Sequence, residues 1–230
     1  WKEEYEEIRK NKKGRKKKEE NSAVVIEDEN TTKRQEKNIL NRRAHLVLLA
    51  QNQTGLNNLF QLISKSFNGD NFYRYPRFDY EMLAEHNEGI IVSSACMGGP
   101  LSKDYWNNRE NGHDAVQTAM TTTINNFVEI FGDRFYGELQ WNSIPEQHEI
   151  NKHIIEASKK LDIKLISTAD SHYPRPELFK DRELYKQLGW LGKSKPDYAE
   201  NVLPQTREEL KYELYPKNGN EMWESYKNYS

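Results

Sequence analysis

The sequence predicts an α/β protein, and three observations carry that reading. Short apolar runs, "AHLVLLA", "GIIVSSAC" and "IKLIST", alternate with stretches of helical periodicity. The runs are apolar throughout rather than at every second position, which implies strands covered on both faces of a sheet or barrel. Strands and helices alternating at this spacing point to parallel β/α units.

The elements follow in order from Ala44. "AHLVLLA" reads as a buried strand, and the helix after it places Leu56, Leu59, Phe60, Ile63 and Phe67 at helical spacing, with Thr54 as N-cap. "NFYRYPRFD" is an aromatic loop broken by Pro76, and "YEMLAEHNEG" a short helix stopped by Gly89. "GIIVSSAC" is the second strand. A polar helix covers about 114–131, and "DRFYGELQ" forms the third strand, with Phe135, Gly137 and Leu139 alternating against Tyr136, Glu138 and Gln140. In "IPEQHEINKHIIEASKKLD", Ile150, Ile154, Ile155, Ala157 and Leu161 make the inner face of an amphipathic helix. "IKLIST" is the fourth strand, and a further helix falls within 177–188.

Composition sets the flanks apart. Only 35% of the 230 residues are apolar and 30% are charged, with a mean hydropathy of -1.02, so part of the chain is expected to be solvated rather than packed. Residues 1–43 hold 14 of the 34 Lys and Arg against 10 of the 36 Asp and Glu, and read as a charged, flexible insertion in which 23–26 could supply one edge strand. Within it, Arg9 to Lys18 is the stretch that could contact phosphates. Beyond about Lys193 the chain turns polar and Tyr-rich, as a connector would. The net charge of -2 gives no global basic field. With Cys96 the only cysteine, no disulfide can form within the chain, which fits a reducing cytoplasm. The longest clean apolar run, Leu46–Ala50, is too short to cross a bilayer. The chain opens at Trp1 rather than Met and reads as a piece of a longer polypeptide.

In β/α folds, working groups gather past the C-terminal ends of the strands. Strand two ends at Cys96, strand three at Trp141 and Asn142, and strand four at Asp170-x-His172. Thiolate, carboxylate and imidazole are all competent ligands for zinc or a similar divalent ion. Residues i and i+2 of an extended segment point the same way, so Asp170 and His172 can act together. The plainer alternative stands beside this: Asp and His are common in turns after strands, and a lone cysteine often behaves as a small apolar residue. His45 opens an apolar strand, at a rim or in a site. His148 and His153 are five apart, not the i, i+4 of a helical zinc pair, and are expected to face solvent; His86 and His113 show no partner spacing. There is no phosphate-binding glycine loop, and Ser93-Ser94 has no nucleophile-elbow pattern.

Three blocks carry a resemblance. "AHLVLLAQNQTGLNNLFQLISKSF", "YPRFDYEMLAEHNEGIIVSSACMGGPLS" and "FYGELQWNSIPEQHEINKHIIEASKKLDIKLISTADSHYP", in this order and spacing, resemble the PHP (polymerase and histidinol phosphatase) domain of bacterial replicative DNA polymerase III alpha subunits. Leu214–Met222 is similar to the same family's "F/Y-x-K-x-x-x-E-M" stretch. The resemblance implies a partial, distorted (β/α)7 barrel with a charged N-terminal insertion at 1–43, PHP domain at 44–193, and a connector toward a polymerase palm at 194–230. It implies metal ligands at Cys96, Asp170, His172 and His45, with zinc or manganese in that site and magnesium for the parent polymerase. The family's H-x-H strand and glutamate-bearing strand would precede Trp1. One departure stands out: relatives tend to carry His in "L-Q-x-H", where this chain has Asn142, a poor zinc ligand.

The function implied is that of part of a cytoplasmic DNA-directed DNA polymerase, a nucleotidyltransferase of DNA replication. Its partners would be DNA, dNTPs, a sliding clamp and other replisome subunits, with no membrane. The piece itself would be mainly structural, with a vestigial metal site. Two alternatives stay open: an active metal-dependent 3′–5′ exonuclease or phosphoesterase, and a free-standing histidinol-phosphatase-like enzyme.

Overall fold

A computed structural model describes residues 43–73, 75–142, 144–190 and 213–229. The expected insertion, its basic stretch and most of the expected connector lie outside these residues. The chain divides into two compact units, Trp1–Ala44 with Phe60–His86, and His45–Leu59 with Asn87–Ser230.

The larger unit is built on a four-stranded sheet of order β1-β4-β5-β6, where β1 is Val47–Ala50, β4 Ile90–Ser93, β5 Phe135–Gln140 and β6 Lys164–Thr168. β4, β5 and β6 run parallel, as their helical crossovers require. β1 departs from the expected parallel arrangement: it pairs antiparallel with β4, Val47 opposite Ser93 and Ala50 opposite Ile90. Nor is it buried. It is an edge strand with Val47 39% and Leu49 56% exposed, whereas Ile90 and Val92 of the inner strand are fully enclosed. Among the described residues the sheet has four strands and is open.

The layer over this sheet is helical. α3 (Pro100–Asn108), α4 (His113–Phe131) and α5 (Pro145–Leu161) bury Leu101, Val116, Met120, Ile124, Phe127, Phe131, Ile150, Ile154 and Ala157. Phe127 of α4 stacks on Phe135 of β5 with centroids 5.0 Å apart. α5 can lie close to β5 because Gly137 faces it: a Cβ there would sit 3.1 Å from Ile154 and Ser158 and 2.8 Å from Leu165. Ile155 and Leu161 of the expected inner face are only half-buried. α3 has no counterpart in the sequence reading, since "PLSKDYWNN" is polar; its start is set by Pro100 in the first turn.

α1 (Gln53–Ser66) begins one residue earlier than its expected cap. Asn52, not Thr54, satisfies the first turn, its side-chain oxygen accepting from the Gly55 amide at 3.0 Å. Gly55 lies against Gly89, whose carbonyl would be 1.9 Å from any Cβ at 55. The smaller unit carries the end of α1, a hairpin of β2 (Phe72–Tyr73) and β3 (Tyr75–Pro76), and α2 (Tyr80–Glu85). α2 is capped by Asp79, which accepts from the Met82 amide at 3.1 Å, and ends at His86, before Gly89. Of the apolar positions assigned to the face of α1, Leu56, Phe60, Ile63 and Phe67 are 37–57% exposed and Leu59 is half-buried; the buried residues of the helix are Gly55, Leu62 and Ser66.

Past β6 the chain turns through Asp170–Pro174 into α6 (Phe179–Trp190), and the last described segment ends in α7 (Gly219–Tyr229). Tyr173, Phe179, Leu214 and Tyr215 close into a small buried cluster, so segment 213–229 is packed onto the turn that follows β6.

Candidate metal centre

At the exits of the parallel strands, Gln140 and Thr168, the last residues of β5 and β6, are side by side, whereas Ser93, which ends β4, lies beside Tyr136 near the start of β5. The four sequence-derived ligand candidates lie around these exits or beside them, in two pairs.

The first pair is His45 and Cys96, with the thiol sulfur 3.5 Å from His45 Nδ1. Local backbone holds both. His45 N donates to the Gly98 carbonyl at 2.8 Å, and Gly98 lies flat against the imidazole, where a Cβ would come within 2.9 Å of Nδ1. The Cys96 carbonyl accepts from the Gly99 amide at 2.7 Å and from Ser102 Oγ at 3.1 Å. Ala95, just before the thiol, has φ +59°, a left-handed conformation that disfavours a side chain. Burial pushes the Cys96 thiol above the ordinary cysteine range; the Gly98 amide opposes this, and the charges of Asp170 and then Glu138 add to it.

The second pair is Asp170 and His172, with Oδ2 and Nε2 3.6 Å apart and side chains 33% and 50% exposed. Asp170 is itself left-handed, φ +47°. His172 is held through its backbone, its amide donating to the Leu214 carbonyl at 2.7 Å. The effect of Asp170 on the Cys96 thiol is the electrostatic link between the pairs. Asn142, the departure noted in the sequence, turns to its own loop, where Oδ1 accepts from the Ile144 amide at 3.0 Å ahead of α5.

Thiol, imidazole and carboxylate suit a divalent transition ion by chemistry, and a cation would offset both the burial and the lesser effect of the nearby carboxylates that raise the thiol. Among the described residues, however, no three His, Cys, Asp or Glu side chains converge as a metal-holding group. The donors match such an ion in kind and stand as two half-sites. His113, expected to show no partner, and His153, expected to face solvent but half-buried, meet each other instead, with rings 4.7 Å apart, His113 Nε2 against Glu156 at 3.1 Å and Gln117 on His153 Nδ1 at 3.0 Å.

Sequence reasoning missed a buried polar cluster on β5, between the last residues of β4 and β6. Glu138, only 6% exposed, receives the Ser93 hydroxyl on Oε2, and on Oε1 the Thr168 hydroxyl at 2.5 Å and the Gln140 amide at 3.1 Å. Its own amide donates to Ser94 Oγ at 2.9 Å. The available signal was Glu138 and Gln140 together on one face of the alternating strand "FYGELQ".

Comparison with known proteins places this geometry. A family model described as "PHP domain" matches residues 5–142, and the chain belongs to that family. The match opens inside the charged 1–43 stretch and closes at Asn142, ahead of Asp170. Among curated proteins the chain is 40% identical over 144 residues to the DNA polymerase III subunit alpha of Aquifex aeolicus, covering 62% of this chain and 12% of that protein. It is 36% identical over 133 residues to that of Thermus aquaticus (58% and 10%), and 34% over 180 residues to that of Borreliella burgdorferi (78% and 14%). The chain thus spans between a tenth and a seventh of the length of these relatives. Among its described residues no helix is long and apolar enough to cross a membrane.

Proposed function

We propose that this chain is the PHP portion, centred on 44–193, of a cytoplasmic DNA-directed DNA polymerase that works in replication, and that its main contribution is structural. The observation that carries the reading is the seating of segment 213–229. The Leu214 carbonyl accepts from both His172 and Tyr173, and Leu214 and Tyr215 are buried against Tyr173 and Phe179. A segment leading toward a polymerase palm would thereby be fixed to the PHP sheet. The similarity to three alpha subunits supports the same reading. On it, magnesium, DNA and dNTPs belong to the parent polymerase, and a sliding clamp and other replisome subunits are its partners.

The two half-sites favour a second reading, a metal-dependent 3′–5′ exonuclease or phosphoesterase. His45, Cys96, Asp170 and His172 would hold zinc or manganese, which when bound polarises a phosphate and supplies hydroxide at neutral pH. Asn142, engaged by Ile144, weighs against a full ligand set. The experiment is to incubate the full polypeptide with primed DNA, first with magnesium and dNTPs, then with manganese alone. Primer extension without loss of 3′ nucleotides in manganese supports the structural reading. Manganese-dependent shortening abolished by Cys96→Ala would establish the second, and absence of extension would remove the polymerase assignment.

A further inference from the structure

Glu138 is a buried acid that neither reading uses. Its carboxyl group sits on the central strand β5 and takes hydrogen bonds from both neighbours, Ser93 of β4 and Thr168 of β6, as well as from Gln140 on its own strand. Ser93 and Thr168 are the last residues of their strands. Three residues beyond Ser93 comes Cys96, and two beyond Thr168 comes Asp170. Ser94 adds a second tie to β5, its amide donating to the Tyr136 carbonyl at 3.1 Å and its hydroxyl accepting from the Glu138 amide. Immediately after both grips the backbone turns left-handed, at Ala95 and at Asp170. Such turns persist only where neighbouring structure enforces them. Gln140 is held in turn, its carbonyl accepting from Asn151 Nδ2 at 2.8 Å, so the clamp is anchored to α5.

We propose that Glu138 is a positioning residue: by tying the ends of β4 and β6 to β5, it sets the two exit turns that carry Cys96 and Asp170-x-His172, and with them the geometry of the two half-sites. This rests on the reading of those residues as ligands. Glu138 is not itself placed as a ligand, because both its oxygens are engaged by protein donors.

The test compares the wild-type full polypeptide with Glu138→Ala and Glu138→Gln by hydrogen exchange and by cobalt(II) titration, following the thiolate-to-cobalt absorption. Expected for Glu138→Ala are at least tenfold faster exchange over 94–99 and 169–173, unchanged exchange in α5, and cobalt affinity reduced about 10- to 100-fold, the range seen when groups supporting metal ligands are removed. Glu138→Gln, which still bridges the two hydroxyls, is expected to restore most of both. If the wild type binds no cobalt but Glu138→Ala still loosens both turns, the metal reading falls and the positioning role stands. Unchanged exchange in both turns, or exchange accelerated equally throughout α4 and α5, overturns the proposal. Should Glu138→Ala not fold, Thr168→Val and Ser93→Ala each remove one grip and are read in the same way: each must loosen the turn on its own strand, and failure of both to do so overturns it.

Discussion

The amide of His172 donates to the carbonyl of Leu214 at 2.7 Å, across 42 residues of sequence, and Tyr173 returns the contact with its hydroxyl accepting from the Leu214 amide at 3.3 Å. The turn that carries the Asp170–His172 pair and segment 213–229 are therefore packed together. Leu214→Ala is expected to destabilise by about 2–5 kcal/mol, because it empties a buried position. Tyr173→Phe, which removes one hydrogen bond and keeps the ring, should cost about 1 kcal/mol. Chemical denaturation of both variants in the full polypeptide checks the ratio.

The Cys96 turn is the second place where geometry is tight. A Cβ at Gly99 would lie 2.0 Å from the Ser94 carbonyl and 2.9 Å from that of Cys96, both rigid backbone. Gly99→Ala should displace the turn and destabilise by about 1–3 kcal/mol or more. Ala95→Gly, at φ +59°, should instead stabilise by about 1 kcal/mol. Opposite signs in paired thermal melts are the expected result.

Burial raises the Cys96 thiol above its unfolded value, which lies at about 8.5. The folded state therefore holds this proton longer than the unfolded state does. The associated stability is complete below the unfolded thiol value and is lost as pH rises through the folded one. Alkylation of Cys96 by iodoacetamide should accordingly reach its midpoint at a higher pH in folded protein than in urea. A midpoint below that of the urea control would contradict the burial argument.

His153 behaves in the opposite sense. Burial lowers it first and the neighbouring His113 second, while Glu156 and Glu149 oppose them. The unfolded chain takes up this proton first, so stability is present above about pH 6.5 and is lost as pH falls toward the lower folded value. His153→Gln should flatten the stability profile below about pH 6.5, measured by denaturation at several pH values.

Much of the frame was legible in the sequence. The strands at 90–93, 135–140 and 164–168 and the helices around 113–131 and 145–161 lie where apolar runs, the alternation in "DRFYGELQ" and helical patterning place them. What failed was the exposure and direction of individual elements. "AHLVLLA" is as apolar as an inner strand, yet β1 lies at the sheet edge, because local composition cannot say how many neighbours a strand has. The apolar stripe of α1 is wider than the face it buries, and Leu62 rather than Phe60 or Ile63 is the enclosed residue. The D-x-H spacing and the lone cysteine were visible as candidates, but their division into two pairs depends on turns set by left-handed Ala95 and Asp170. Alanine at 95 gives no hint of such a conformation, and aspartate at 170, a residue type enriched in it, gives only a weak one. The His113–His153 contact likewise joins two helices whose spacing in sequence is uninformative.

The central claim, that this PHP domain serves its polymerase as structure rather than as a hydrolase, is tested most directly by primer extension with the full polypeptide carrying Cys96→Ala and Asp170→Ala together, scaled to folded protein. The account predicts synthesis within about twofold of wild type, less than the 1.4 kcal/mol that a tenfold change represents. A loss of tenfold or more in a variant that melts like the wild type would contradict it.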